Sequence, residues 1–404
     1  MSIFAFNSMI MTSKKDVFQS PDYYQLDDLL SDEHKLVRDT VRTYVKKEIS
    51  PIIEDYAQKA SFPEQIVKQL GELGCFGPTI PAEYGGGGLD YISYGLMMQE
   101  LERGDSGVRS TASVQGSLVM FPIHAYGSEE MKTRMLPKLA SGEWLGCFGL
   151  TEPDHGSNPA GMITNIRDAG DHVILNGSKM WISNAPFAQV AVVWAKDELG
   201  DIRGLVVERG MTGFSTPTTH GKWSLRASAT GELVFDQVKV PKENLFPDIR
   251  GLKGPLSCLT KARYGIAWGS VGAAMDCYDT ALRYSKERIQ FGRPIGGFQL
   301  QQKKLAEMIT EITKAQLMNW RLGMLMNEKR ASPAQVSMAK RNGCAIATDI
   351  AREARQMLGG MGITGEYPIM RHLMNMESVL TYEGTHDVHL LITGMDVTGF
   401  NAFM

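Results

Sequence analysis

The feature of this chain that most constrains its fold is a change of hydrophobic pattern near its middle. From about residue 22 to residue 140, and again after residue 255, apolar residues recur every three or four positions, which is typical of helices. Between roughly residues 144 and 245, short β-branched and aromatic runs are separated by Gly, Asn and Asp. Strands this closely spaced favour a compact sheet or small barrel over alternating βαβ units.

This pattern predicts a mainly α protein with an inserted β domain. We expect an extension over residues 1–21, an N-terminal helical domain over 22–143, a central β domain over 144–253 and a C-terminal helical bundle over 254–404. Ser31 is a suitable N-cap for the first helix, and Ser332-Pro333 a suitable start for a later one. The long periodic segments after residue 255 are sufficient for a four-helix bundle.

Composition excludes several classes of function. The chain has 404 residues, of which 43% are hydrophobic and 22% charged, and its net charge of -3 argues against a nucleic-acid surface. No apolar run approaches the roughly 18–20 residues of a membrane span. Five scattered cysteines without a C-x-x-C pair indicate reduced core residues of an intracellular protein. The first residues resemble neither a secretory signal nor a clear transit peptide.

Common binding motifs are missing or incomplete. The string GGMGITG follows a predicted helix rather than a strand, so its glycines are a better match to a helix cap than to a dinucleotide site, although their N–H groups could approach a phosphate. His386 and His389 have no third ligand nearby, so no metal site is predicted. A hydrolase is disfavoured because there is no G-x-S-x-G string.

A candidate catalytic group is Glu383, in the string TYEGTHDVH. A glutamate that opens a turn after a helix can point into an apolar cavity, where desolvation raises its basicity enough to remove a weakly acidic C–H proton. The alternative is a solvated surface residue, which is the commoner fate of an isolated Tyr-Glu-Gly.

Four separated strings resemble one family. They are CFGLTEPDHGSNP from Cys147, KMWISNA from Lys179, ERIQFGRPIGGFQLQQKKLAEM from Glu287, and QMLGGMGI followed by TYEGTHDVH from Gln356 onwards. Together they resemble the acyl-CoA dehydrogenases, from about residue 22 to the end of the chain. The resemblance implies an N-terminal helical domain, a central β-barrel or sandwich domain and a C-terminal four-helix bundle, in a homotetramer that binds FAD at subunit boundaries. It also implies a cytoplasmic location in a bacterium, or the mitochondrial matrix in a eukaryote.

The resemblance also assigns roles to individual residues. Glu383 matches the base that removes the α-proton of an acyl-CoA thioester while the flavin accepts a hydride from the β-carbon. The positions that match FAD contacts are Phe148, Gly149, Leu150, Thr151, Ser157, Trp181, Ile182, Ser183, Arg288, Phe291, Gln299, Gln356, Met357, Leu358, Gly359, Gly360, Thr385 and Phe403. Those that match substrate contacts are Glu102, Arg109, Ser110, Ser113, Ser157, Arg263, Tyr264, Tyr382 and Gly384.

Within the family, the string ELERGDSGVRSTASVQGSLVM resembles the branch that acts on glutaryl-CoA. There an arginine, matched by Arg109, binds the distal carboxylate of the substrate, which needs a partner in an apolar pocket. The expected activity is oxidation and decarboxylation of glutaryl-CoA to crotonyl-CoA and CO2, with electrons passed to electron-transferring flavoprotein. Val108 departs from the tyrosine usual in this branch, and Asp154 and Asn158 nearly exchange an acid and an amide.

Two alternatives stay open at this point. One is a short- or branched-chain acyl-CoA dehydrogenase, or an acyl-CoA oxidase, without decarboxylation. The other is a non-catalytic flavoprotein scaffold, which would require Glu383 to lie out of reach of a bound thioester.

Overall fold

A computed structural model describes residues 22–403. The extension predicted over residues 1–21 lies outside the described residues, as does residue 404. Helices dominate both ends of the described chain. They are α1 (Asp32–Tyr44), α2 (Ile53–Lys59), α3 (Ile66–Glu72), α4 (Tyr91–Gly104), α5 (Ser106–Ser113), α6 (Phe121–Tyr126), α7 (Glu129–Ala140), α8 (Lys253–Glu287), α9 (Gln299–Asn327), α10 (Pro333–Met357), α11 (Ile369–Thr381) and α12 (His386–Thr398).

The middle of the chain forms a curled seven-stranded sheet. Its strands are β1 (Gly146–Gly149), β2 (Asn165–Asp168), β3 (His172–Ser183), β4 (Val190–Lys196), β5 (Ile202–Glu208), β6 (Phe214–Ser215) and β7 (Thr230–Pro241). Their order is β1-β4-β2-β3-β7-β6, and β5 also pairs with β4. Most pairs are antiparallel, but β1 and β2 each run parallel to β4. A separate hairpin, β8 (Ile289–Gln290) and β9 (Arg293–Pro294), follows α8.

The predicted fold class is therefore confirmed: helices, then a sheet, then a helical bundle that includes α8, α9, α10 and α11. Both predicted helix starts are also present. The Ser31 side chain accepts a hydrogen bond from the backbone N–H of His34, and that of Ser332 accepts one from Gln335. No helix within residues 22–403 is long and apolar enough to cross a membrane.

One buried carboxylate joins helices that are distant in sequence. Asp105 caps α5, since its Oδ1 accepts from the backbone N–H of Gly107 at 2.6 Å. Its Oδ2 accepts from Arg371 Nη1 and from Asn375 Nδ2, each at 2.8 Å, and both of these residues lie on α11. Asp105 thereby ties the first turn of α5 to the middle of α11.

Glycines allow α4 and α8 to pack closely. A Cβ atom at Gly272 of α8 would lie 1.9 Å from the carbonyl oxygen of Gln99 on α4. A Cβ atom at Gly95 of α4 would lie 2.4 Å from the indole of Trp268 on α8. Neither glycine has a left-handed backbone, so here the reason for glycine is close approach.

We predict that Gly272→Ala lowers the free energy of unfolding by about 1–3 kcal/mol or more, because a backbone carbonyl must move. The matched control is Gly394→Ala on α12, where a Cβ atom meets nothing within 4 Å among the described residues. That control should be neutral or up to about 1 kcal/mol more stable, since alanine favours a helix. Thermal unfolding checks both variants, and equal shifts in Tm would contradict the close-packing argument.

Candidate active site

Glu383 lies in a tight turn between α11 and α12. Its φ is 59°, and that of Gly384 is 93°, so two consecutive residues have left-handed backbones. Such a conformation costs a residue with a side chain about 1–2 kcal/mol, and it persists only where the surroundings enforce it. The turn ends at Thr385, whose hydroxyl caps α12 by accepting from the N–H of Val388 at 3.3 Å.

Two cationic side chains hold this turn by its carbonyl groups. Lys340 of α10 donates from Nζ to the carbonyl oxygens of Tyr382 at 2.7 Å and Gly384 at 2.8 Å. Arg263 of α8 donates from Nε to the carbonyl oxygen of Glu383 at 2.6 Å. Three consecutive carbonyls are thus fixed by two buried charges from different helices.

The Glu383 carboxyl group is set up to bind a proton more tightly than usual. Its Oε2 is buried and has no hydrogen-bond partner in the described part of the chain. Burial raises the pKa of Glu383 from 4.5 to about 7, against the opposing charges of Arg263, Lys340 and Arg109. A carboxylate with this pKa is a stronger base than a solvated one and is still substantially ionised at neutral pH.

Arg109 lies deep beside this turn. It is 2% exposed, and its Nε donates to Oε2 of Glu102 at 2.6 Å. Its Nη2 donates to the hydroxyl of Tyr382, the residue before Glu383. Among residues 22–403, Nη1 has no protein hydrogen bond, so one edge of the guanidinium is available to a ligand.

Glycine makes room for the Arg109–Glu102 pair. A Cβ atom at Gly269 of α8 would lie 2.0 Å from Oε2 of Glu102 and 3.1 Å from Nε of Arg109. Burial opposes the charge of Arg109, but Glu102 and Tyr382 outweigh it and raise its pKa above the usual range. For the Tyr382 phenol, burial acts in the other direction and raises the pKa, so Tyr382 is neutral. The guanidinium therefore keeps its charge inside the protein.

The first two sequence motifs meet at the edge of the sheet. The backbone N–H of Met180 on β3 donates to the carbonyl oxygen of Thr151, just after β1, at 2.9 Å. Phe148, Leu150 and Ile182 are buried here, while Thr151 and Ser183 are partly exposed. A Cβ atom at Gly149 would lie 2.8 Å from Leu233 on β7, which explains a glycine at the end of β1.

A bulge in β3 brings Trp181 to the surface. The β3–β7 register shifts between Lys179 and Ile182, and Trp181 has a φ of 64°. Its indole is 57% exposed. An exposed tryptophan on a distorted backbone is unusual in a packed sheet and suits an aromatic wall for a planar ligand.

A buried ion pair fixes the loop after β1. Lys179 is fully buried and donates from Nζ to Oε1 of Glu152 at 2.8 Å and to the carbonyl oxygen of Leu150 at 3.1 Å. Burial lowers the pKa of Lys179 to about 8. Glu152 also accepts from the backbone N–H groups of Ile163 and Thr164, which closes the segment that carries the exposed Ser157.

The remaining residues that match FAD contacts lie elsewhere on the chain. Arg288, Phe291 and Gln299 are exposed at the β8–β9 hairpin and the start of α9, and Phe291 is 94% exposed. Where α10 ends, the exposed positions are Gln356, Gly359 and Gly360. By contrast, Met357 and Leu358 are buried, and Phe403 is half exposed near the C-terminus.

The other residues that match substrate contacts are buried around Arg109 and Arg263. Ser110 and Ser113 lie on α5, 3% and 2% exposed. Tyr264 on α8 is fully buried, and its hydroxyl donates to the carbonyl oxygen of Tyr91 at 2.6 Å, so this group supports the start of α4.

Sequence reasoning missed Lys340, Lys179 and Gly269 as parts of the site. For Lys340 a signal exists: this lysine falls within the apolar stripe of α10, between Val336 and Cys344, where a charge needs a buried partner. Gly269 left no such signal, because only the path of α4 beside α8 requires it. No cluster of three or more His, Cys, Asp or Glu that could hold a metal ion occurs in residues 22–403.

Comparison with protein families agrees with this architecture. Three acyl-CoA dehydrogenase models match the chain: the N-terminal domain over residues 31–143, the middle domain over 147–238 and the C-terminal domain over 250–398. The matches follow the order of helices, sheet and bundle seen in the structure.

Individual relatives are similar over nearly the whole chain. The glutaryl-CoA dehydrogenase of Desulfococcus multivorans is 38% identical over 92% of this chain and 97% of its own length. The human short-chain specific acyl-CoA dehydrogenase is 34% identical over 90% of this chain and 89% of its own. A glutaryl-CoA dehydrogenase from Mycobacterium smegmatis, solved in complex with FADH2, is 47% identical with a TM-score of 0.93, covering 94% of this chain and 98% of that one. The chain therefore belongs to the acyl-CoA dehydrogenase family of FAD-dependent oxidoreductases.

Proposed function

We propose that this protein is a glutaryl-CoA dehydrogenase that converts glutaryl-CoA to crotonyl-CoA and CO2. The observation that carries the proposal is the charged, buried guanidinium of Arg109, with one free edge, in the same site as the desolvated carboxyl of Glu383. A plain acyl chain offers no acceptor to the N–H groups of Arg109 that Glu102 and Tyr382 leave free, whereas the distal carboxylate of glutaryl-CoA does. The names of the relatives in Desulfococcus multivorans and Mycobacterium smegmatis support the same substrate.

Glu383 is the proposed general base. Its unpartnered carboxylate oxygen can accept the α-proton of the thioester, and its pKa near 7 matches a task at neutral pH. The fixed turn keeps the carboxylate in one position, which replaces a bimolecular encounter by a positioned one.

The residues present fit an FAD site. Trp181 offers an exposed aromatic face, and Thr151 and Ser183 lie beside it with accessible polar groups. We assign the isoalloxazine ring of FAD to these residues. We assign the phosphates and adenosine of FAD to a neighbouring subunit in a homotetramer, where Arg288, Phe291, Gln299 and the Gly359-Gly360 turn would bind them. When bound, FAD supplies the acceptor for the hydride that leaves the β-carbon.

We propose that decarboxylation follows oxidation in the same site. After oxidation, loss of CO2 leaves an electron pair that delocalises into the thioester enolate, and the carbon that lost CO2 then needs a proton. Protonated Glu383 can return the proton it removed, so the proton balance closes within the site. We propose that electrons leave the enzyme to electron-transferring flavoprotein.

A second candidate function is a short-chain acyl-CoA dehydrogenase without decarboxylation. It is favoured by the 34% identity to the human short-chain enzyme and by Val108, a fully buried apolar residue beside Arg109. Peroxide formation at the rate of turnover would instead indicate an oxidase.

The first test is anaerobic reduction of the purified flavoprotein with glutaryl-CoA and, separately, butyryl-CoA, followed by mass analysis of the products. Bleaching with glutaryl-CoA and formation of crotonyl-CoA are expected. Glutaconyl-CoA as the accumulated product, with no CO2, would remove decarboxylation from the proposal. Bleaching with butyryl-CoA alone would favour the short-chain alternative.

Substrate choice tests Arg109. Arg109→Ala alone would leave Glu102 as a buried, unpaired charge, which would itself destabilise the protein. The double variant Glu102→Gln/Arg109→Gln removes both charges and so measures the effect on substrate binding separately. Its kcat/KM for glutaryl-CoA should fall by an amount equivalent to about 2–5 kcal/mol, since a buried charge pair with the substrate is lost. Its kcat/KM for butyryl-CoA should change little. Equal losses on both substrates would indicate general damage to the site.

Turnover and its pH dependence test Glu383. Glu383→Gln should bind FAD and substrate but lose most of the rate of flavin reduction, because the amide cannot accept the α-proton. In the wild type, kcat/KM should rise with pH through an acidic limb near 7, as the carboxyl group loses its proton. A wild-type rate in the variant, or a profile that is flat between pH 5 and 8, would exclude Glu383 as the base.

Stability offers an independent check on the same carboxyl group. Because its pKa is raised on folding, from 4.5 to about 7, the wild type loses stability relative to Glu383→Gln as pH rises through that interval. The Tm of the variant minus that of the wild type should therefore be larger at pH 8 than at pH 4.5. Glu130→Gln, at an exposed residue of α7, is the control. A difference that does not depend on pH would contradict the burial of Glu383.

A further inference from the structure

We propose that Lys340 is a positioning residue for Glu383: its ammonium group clamps the carbonyls on both sides of the base and so maintains the left-handed turn that directs the carboxyl group. The proposal rests on the proposed role of Glu383 as base. Lys340 matched no motif in the sequence, and it makes no ion pair with a carboxylate in the described part of the chain. A buried lysine without a counterion is costly, so its presence requires a compensating interaction.

The geometry supplies that interaction. Nζ of Lys340 donates to the carbonyl oxygens of Tyr382 at 2.7 Å and Gly384 at 2.8 Å, so it spans the turn and leaves Glu383 between its two contacts. Rotating the Glu383 backbone out of its left-handed conformation would move both carbonyls and break both bonds. Lys340 is 1% exposed and lies on α10, so the body of the bundle holds the clamp.

The charge of Lys340 also acts on the carboxyl group of Glu383. It opposes the effect of burial on Glu383, so its removal should raise the proton affinity of the carboxyl group further. Other titratable groups interact electrostatically with this carboxyl group from neighbouring helices. They are Arg263 and Cys258 on α8, Arg109 on α5 and Tyr94 on α4. Glu102 on α4 faces Arg109, and His389 on α12 lies next to Gly384, where a Cβ atom would be 3.1 Å from its Nε2.

Of these groups, two arginines are cationic and differ from Lys340 in how they are held. Arg109 is paired with Glu102, which offsets its charge. Arg263 bonds the carbonyl of Glu383 itself, a contact in which Lys340 takes no part. Burial holds the pKa of His389 down at about 3, so the imidazole is neutral in the working range. A shift in the pH profile of a Lys340 variant can thus be attributed to the lysine.

The test compares Lys340→Met, which removes donors and charge at similar length, with Lys340→Arg, which restores both. Lys314→Met, at an exposed residue of α9, is the surface control. Flavin reduction in single turnovers is measured against pH with glutaryl-CoA and with butyryl-CoA, and FAD content is measured in each variant. Amide hydrogen exchange of the peptide spanning residues 382–389 reports the turn directly.

For Lys340→Met we expect flavin reduction at pH 7 to slow about 10- to 100-fold, with substrate affinity within about threefold of wild type, because positioning affects the chemical step. The acidic limb should move up by about 0.5 pH unit or more, and exchange in the 382–389 peptide should accelerate. Lys340→Arg should recover part of each effect, and Lys314→Met should match the wild type.

The proposal would be overturned if Lys340→Met kept the wild-type rate of flavin reduction, the wild-type acidic limb of the pH profile and the wild-type amide exchange of the 382–389 peptide. A loss of FAD and of Tm with an unchanged pH limb would also overturn it, since that pattern indicates a purely structural lysine. If the methionine variant does not fold, Lys340→Gln removes the same charge and is judged by the same readouts. A wild-type rate in Glu383→Gln would instead refute the proposed base, and the exchange measurement would still decide whether Lys340 holds the turn.

Discussion

The site depends on one fully buried carboxylate, that of Asp105. Asp105 caps α5 through the N–H of Gly107, and it accepts hydrogen bonds from Arg371 and Asn375 on α11. Helix α5 carries Arg109, and α11 ends at the turn that carries Tyr382 and Glu383. Because one carboxylate fixes both helices, it also fixes the backbone positions from which the side chains of Arg109 and Tyr382 meet. Leaving either partner of such a buried pair alone costs several kcal/mol, about 3–5, so the two helices are held in one register.

The pair of Arg109 and Glu102 has a consequence for substrate choice. A guanidinium buried without a counterion would oppose folding, whereas one whose N–H groups all bonded protein acceptors would have no donor left for a ligand. Here Glu102 accepts a hydrogen bond from Nε of Arg109, and the neutral phenol of Tyr382 accepts one from Nη2. Among the described residues, Nη1 is left without a protein hydrogen bond. The close approach of α4 and α8 at Gly269 makes room for this arrangement. A dicarboxylate substrate can then complete the coordination of a charge that is already desolvated, so little of its binding energy is spent on dehydrating the arginine.

Much of the fold was predictable from sequence, because periodicity and caps are local. The switch from helical to strand patterns gave the order of the regions, and Ser31 and Ser332 begin the helices as predicted. Several candidate residues do come together: Arg109 with Glu102 and Tyr382, Arg263 with Glu383, and Thr151 with the strand of Trp181. What sequence could not provide was the set of residues that act through the backbone. Lys340 contacts carbonyls that any residues at 382 and 384 would offer, and the side chains of those residues carry no trace of the contact.

The way the cations are used resolves a conflict at Glu383. A general base near neutral pH needs a raised pKa, yet a turn this strained needs strong donors close by. Had Lys340 or Arg263 bonded the carboxylate directly, its pKa would have fallen, as it does at Glu152, where hydrogen bonds and the Lys179 ion pair overcome burial and lower the pKa to about 2. Instead both cations donate to carbonyl oxygens, which fixes the backbone and leaves the carboxyl group to the effect of burial. The two glutamates thus show one kind of side chain with opposite pKa shifts, and the difference depends on whether the neighbouring charge bonds the carboxylate or the chain beside it.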